Sequence, residues 1–181
     1  MTPSDLLNRA PAAGFDQPFE MLAACHERVE RMLGLLERLA AHLPQQGADA
    51  QARDAARDVM RYFDQAAPHH HEDEERHVLP ALREAARDPG QHDLAALADR
   101  LQADHKQMAA AWAALRVPLV EVTEGRWSAG ARFDAVPGFA ALYRAHIERE
   151  DREAFPAAAG LVRGPALEAM GVEMATRRGV R

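Results

Sequence analysis

The sequence predicts an all-α protein: an up-down-up-down four-helix bundle with a short additional C-terminal helix. Three observations predict it. Four long segments carry apolar residues at alternating steps of three and four, the spacing of one helical face. Stretches rich in Pro, Gly and Asp separate them. Strand signals, in which apolar and polar residues alternate, are nearly absent. We read residues 1–181 as one domain, with the bundle over about 16–156 and the C-terminal helix over about 165–178.

The first helix is predicted over about residues 18–43. Asp16 or Gln17 is placed to cap it, and Pro18 suits its first turn. Its stripe reads Phe19, Leu22, His26, Val29, Leu33, Leu36, Ala40, Leu43. The second is predicted over about 49–87, with the stripe Met60, Phe63, Ala67, His70, Glu74, then His77 or Val78, then Ala81 or Leu82. Pro68 and Pro80 interrupt it, since each removes a backbone donor and crowds the preceding turn. The stripe keeps phase across Pro68, which predicts one kinked helix. The third is predicted over about 92–117, with Leu94, Leu97, Leu101, His105, Met108, Trp112 and Leu115 inward. A connection containing Gly125, Trp127 and Gly130 is expected from Pro118 to Phe133. The fourth starts near Asp134 or Pro137 and runs to Phe155, with Phe139, Tyr143, His146, Glu150 and Ala154 inward. Leu167, Met170 and Met174 give the short fifth helix an apolar edge.

Composition narrows the function classes. Hydrophobic residues make up 48% of the chain, enough for a packed core. The net charge is −6 and no basic block stands out, which argues against nucleic acid as a partner. No apolar run approaches a membrane span. The opening MTPSDLLNRAPAAG lacks the pattern of a signal peptide, so the expected location is cytoplasmic. Cys25 stands alone, so an internal disulfide and a cysteine-based metal site are both excluded. Lys106 is the one Lys beside 21 Arg, a bias of GC-rich and so bacterial genomes.

One phrase occurs twice. His70, Glu74 and Pro80 are repeated as His146, Glu150 and Pro156, 76 residues further on. A Glu four residues after a His lies ~6 Å further along the same helical face. His26 and His105 occupy inward slots on the other two helices. Antiparallel packing brings all four sites to one level. Two imidazole-bearing phrases facing each other then present the same ligands from opposite sides. Six buried titratable groups need partners that the apolar stripes do not supply. Two divalent cations held ~3.5–4 Å apart fit the reach of these side chains. Mixed nitrogen and oxygen ligation suits iron, with manganese or zinc the alternatives. The Pro after each pair is expected to end or bend its helix just past the site. The register His71 with Glu75 is a weaker alternative. His69, His71 and His77 are expected in solvent or beside the ligands, Glu30 on the surface, and Trp112 and Met108 in the pocket wall.

At these residues the chain resembles the hemerythrin-like (HHE cation-binding) family. The family pattern is a His, then HxxxE, then a His, then HxxxE. His26, His70 with Glu74, His105, and His146 with Glu150 match it in order. HEDEERHVLPAL and EREDREAFP resemble the family's EE-x-x-LFP phrases, and EMATRRG resembles the ending of bacterial members. The likeness covers about residues 15–180. It implies a non-haem centre of two iron ions, with two bridging carboxylates and an oxo or hydroxo bridge (Fe–O–Fe). Oxygen-carrying hemerythrins have HxxxH on the third helix. Here Leu101 and Ala109 flank His105 instead, which leaves one iron a water-filled or substitutable position. Tyr143, one turn before His146, either approaches that position or serves as a core aromatic.

A buried, net positive centre favours small reducible or anionic ligands. The expected function is binding or handling of a small diatomic, O2 or NO, for sensing, carriage or detoxification. A di-iron enzyme that reduces nitric oxide or peroxide, or a role in iron storage or delivery, is the alternative. A helical interaction module with adventitious zinc is the third reading. A sensing or redox role calls for a separate signalling or redox partner, because no fused output domain is visible.

Overall fold

The computed structural model describes residues 14–127 and 133–180. Among them all regular elements are helical. Gly130, and all of the signal-peptide segment but Gly14, lie outside the described residues. No helix among the described residues is long and apolar enough to cross a membrane.

Helix α1 is Pro18–Gln46, with Pro18 in its first turn and Gln17 before it. It stops at Gly47, whose φ of 67° suits a residue without a Cβ. Asp49 then caps α2 by accepting a hydrogen bond from the Ala52 N–H at 2.8 Å. Helix α2 covers 50–85 without a break, as Ala50–Arg61, Ala67–Asp73 and Leu79–Ala85 joined by π-turns at Tyr62–Ala66 and Glu74–Val78. Helix α3 is Asp93–Thr123. Helix α4 covers 136–161, as Val136–Arg149, a π-turn at Glu150–Ala154, and Phe155–Leu161. Helix α5 is Pro165–Arg177.

Two expectations about proline are corrected. Helix α3 does not stop before Pro118 but runs on to Thr123. Burial of Leu119 and Val122 offsets the one hydrogen bond that the ring removes. Pro156 does not end the fourth helix at Phe155, and the second helix runs on past Pro80 as its expected range has it. In each the residue before the Pro, Leu79 or Phe155, donates its N–H five residues back, to the carbonyl of Glu74 or Glu150. The widened turn lets the pyrrolidine ring pass the preceding turn without a clash. Tyr62 and Pro68 repeat the same spacing, with Ala67 donating to the Tyr62 carbonyl. The Glu-to-Pro interval of the repeated phrase is therefore the length of a π-turn that begins at the Glu.

Helix α1 packs on α2 and α4, and α3 packs on the same two, which closes a ring of four. Two separate apolar cores fill it. One contains Leu33, Leu36, Val59, Phe63, Met108, Phe139 and Tyr143. The other contains Leu22, Val78, Leu82, Leu101, Phe155 and the α5 residues Met170 and Met174. Asp73, fully buried, anchors α5 through Arg177 at 2.5 Å and Arg178 at 2.5 Å. Gly171 lets α5 close on the chain before α1, since a Cβ there would lie 1.9 Å from the Phe15 carbonyl oxygen. The residue next to Asp73 is Glu74, so this clamp holds α2 at the level where its polar residues turn inward.

Candidate metal centre

The polar layer separates the two cores. His26 comes from α1, His70 and Glu74 from α2, His105 from α3, and His146 and Glu150 from α4; none is more than 4% exposed. In α2 and α4 the imidazole sits in the last α-helical turn and the carboxylate opens the π-turn. The extra residue of each π-turn rotates the helix beyond it by roughly 100° relative to a regular helix. Val78, Leu79 and Leu82 thereby return to the apolar core after Glu74 has turned into the polar layer.

Each carboxylate divides its two oxygens between two groups. Glu74 places Oε1 3.0 Å from His70 Nε2 and Oε2 3.2 Å from His105 Nε2. Glu150 places Oε2 3.1 Å from His26 Nε2 and Oε1 3.0 Å from His146 Nε2. Two four-residue clusters result, each with its ligand atoms within 4.8 Å of one another: His26, His70, Glu74, Glu150, and Glu74, His105, His146, Glu150. The glutamates belong to both clusters and the histidines to one each.

These residues fit a pair of cations. The four facing oxygens and the Nε2 atoms of His26, His105 and His146 are buried and, apart from these approaches to one another, without a hydrogen-bond partner. Atoms so placed would be destabilising in a dry interior. Two ligand atoms ~2.1 Å from one ion and at right angles stand ~3.0 Å apart, which is the spacing of the nitrogen–oxygen pairs. The close approach matches that of neighbours in a coordination shell.

A second ring of acids aims the imidazoles. Asp151 lies 2.9 Å from His26 Nδ1 and Glu75 2.8 Å from His105 Nδ1. A carboxylate only accepts, so each Nδ1–H donates and each Nε2 keeps its lone pair for a cation. Asp104 lies 3.5 Å from His146 Nδ1 and is held in turn by Arg149 and by Arg100 at 3.2 Å. Glu75 and Asp151 each follow a ligand glutamate in sequence and orient a histidine of another helix. Both acids stand in the repeated phrases, so the signal was present; their role needed the π-turn. Replacing Glu75 by Ala is expected to weaken cation binding by about 10–100-fold. A metal titration with an unshifted midpoint would contradict the orienting role.

The charges are strongly coupled. Burial pushes the His70 imidazole down, but the facing Glu74 and the Cys25 thiol outweigh it and hold it well above the usual histidine range. Burial likewise lowers His26 and His105, while Glu150 beside the first and Glu74 beside the second leave both raised. Burial pushes the Glu74 carboxyl up, yet His70 and His105 hold it well below the ordinary carboxylate range. The raised imidazoles of His26, His70 and His105 favour protons that a cation would displace.

The structure brings all six predicted residues together. Of the two places expected for His71, in solvent or beside the candidate ligands, it takes the second. The His71 ring stacks on that of His105, with centroids 4.3 Å apart and planes at 12°. Burial, and then His105, hold it well below the usual histidine range. His69 is exposed, and His77 pairs with Glu173 at 2.8 Å. Glu30 binds Arg144 on the surface. Tyr143 packs on Phe63 and Phe139 as a core aromatic, with its ring 6.0 Å from that of His71. Trp112 joins the same aromatic group and donates to Asp64 at 2.9 Å.

The sequence profile of the family described as "Hemerythrin HHE cation binding domain" matches residues 17–158. A protein of Haemophilus influenzae, named "Uncharacterized protein", is 30% identical over 170 residues, which is 93% of this chain and 94% of that protein. The profile spans all six converging residues and, but for the last three residues of α4, the four helices that carry them. The chain belongs to the hemerythrin HHE cation-binding domain family.

Proposed function

We propose that the protein is a non-haem di-iron protein that binds or handles a small diatomic or anionic ligand. The observation that carries this reading is the division of Glu74 and Glu150 between two clusters. A carboxylate with one oxygen in each of two ligand sets suits two ions held side by side. His26 and His70 would hold one ion and His105 and His146 the other, with both glutamates shared. When bound, two redox-active ions supply one electron each to a small ligand. The protein's own residues hold and orient the pair. Leu22, Leu101 and Phe155 on one side and Phe63, Met108 and Tyr143 on the other keep bulk water away.

The ring of helix contacts and the short connections support an up-down-up-down bundle working as one domain. Nitrogen-rich ligation supplies less negative charge than glutamate-rich di-iron centres, which favours reversible binding over hydroxylation of organic substrates. A cavity of about 480 Å³, lined in part by Cys25, Arg28, Gln65, His69 and Arg178, flanks the His26 and His70 side. Its two arginines suit approach of an anion.

The test is anaerobic loading with Fe(II), metal quantification, then optical spectra with O2, NO and azide. We expect about two iron ions per chain and a change in charge-transfer absorption when azide meets the oxidised protein. A spectrum unmoved by all three ligands would contradict the reading. Steady consumption of NO or peroxide with a reductant would place the same centre in an enzyme.

A further inference from the structure

We infer that Trp112 is an oxidation site at the surface end of an aromatic path: when peroxide meets an already oxidised metal pair, the electrons it takes leave the indole of Trp112. The inference rests on the two-ion reading and adds to it a route to the surface. Tyr143, buried at 4% exposure, joins the imidazole layer to the aromatic group of one core. Its ring lies 6.0 Å from that of His71, which stacks on His105 at 4.3 Å. On its other side Tyr143 meets Phe63 at 5.4 Å and Phe139 at 5.0 Å. Both phenyl rings reach Trp112, Phe63 at 5.0 Å and Phe139 at 5.9 Å. Two parallel routes of touching rings therefore run from Tyr143 to Trp112, and no step in either is longer than one ring contact.

An indole gives up an electron more readily than a phenyl ring, and more readily than a phenol that keeps its proton. Trp112 is also placed to lose a proton. Its Nε1–H donates to Asp64 at 2.9 Å, and Arg116 holds that carboxylate with Nε 3.0 Å from each oxygen. The electrons balance as follows. The first equivalent of peroxide takes one electron from each ferrous ion. The next equivalent takes two electrons and two protons and leaves as two waters. Trp112, partly exposed, supplies both electrons. The first leaves as the Nε1 proton passes to Asp64. After the second, a water adds to the ring and a further proton is lost, which gives hydroxytryptophan. One indole and one peroxide thus become one hydroxyindole and one water. Trp127, the other tryptophan of the chain, is also partly exposed. Its ring meets that of Phe133 at 5.1 Å, and among the described residues neither makes a ring contact with the path.

The test is stepwise addition of hydrogen peroxide to the full chain, loaded anaerobically with Fe(II), freed of unbound iron and quantified for metal, followed by peptide mapping by mass spectrometry. Metal-free and Zn(II)-loaded chains take the same additions. We expect one added oxygen on Trp112, appearing only after the first equivalent of peroxide per iron pair. Trp127 should stay unmodified, and neither control should be oxidised at Trp112. A Tyr143→Leu variant, its helices checked by circular dichroism, is expected to lose most of that product per bound iron. Equal oxidation of Trp112 and Trp127, oxidation of Trp112 without iron, or undiminished product per bound iron in the variant would overturn the path. Fewer than two iron ions per chain before peroxide is added would overturn the two-ion reading beneath it.

Discussion

Replacing Glu74 by Gln is expected to empty both metal positions, whereas replacing His26 by Ala empties one. Glu74 has an oxygen in each cluster, and the amide that replaces it has neither the charge nor a second oxygen to divide. The histidines each serve one side. The expected metal content falls from about two ions per chain to well under one in the Glu74→Gln variant and to about one in the His26→Ala variant. In the metal-free state Glu74 also balances His70 and His105, which it holds above their usual range. Loss of that fully buried anion is expected to destabilise the metal-free protein by about 3–5 kcal/mol. Elemental analysis and denaturant unfolding read the two effects separately. Equal metal loss in the two variants would contradict the shared carboxylate.

Metal removal has the second large effect. An ion that binds the folded chain at about a thousandfold excess over its Kd contributes about 4 kcal/mol. Two ions contribute about 8 kcal/mol, which for a chain of this size raises the unfolding midpoint by roughly 15–30 °C. The effect depends on pH in a fixed direction. His26, His70 and His105 are raised above 6.5 in the metal-free fold. Their pairing with the glutamates stabilises the metal-free fold fully below the unfolded-state value and is lost as pH rises through the folded values. Cations need these imidazoles neutral, so loading releases protons and tightens as pH rises. The midpoint gap between loaded and metal-free protein should therefore widen from about pH 6 to about pH 8. Calorimetry of both forms across that range checks this. A gap that narrows would contradict the coupling.

The positions of the six converging residues were legible because each replaces an apolar residue on an otherwise regular stripe. His26 between Leu22 and Val29, and His105 between Leu101 and Met108, show this most clearly. His71 was legible only as one of two alternatives, in solvent or beside the candidate ligands, since it stands one residue off the stripe. Its inward contact depends on how α2 sits against α3 and α4, which is tertiary packing. The prolines were legible as features but not in their effect. A local steric rule treats Pro80 and Pro156 as breaks, whereas the π-turns before them absorb the ring and let Leu82 and Ala158 be buried beyond. A 3.6-residue period has no place for the extra residue of a π-turn. For the same reason the phrases showed Glu75 and Asp151 without revealing that each reaches a histidine of another helix.

The central claim is that two ions lie side by side between Glu74 and Glu150. Anomalous diffraction at the iron edge, from crystals of protein loaded anaerobically with Fe(II), tests it most directly. Two peaks ~3.5–4 Å apart, each within bonding reach of one oxygen from each glutamate, are the predicted result. A lone peak, or two peaks that share neither carboxylate, would contradict it.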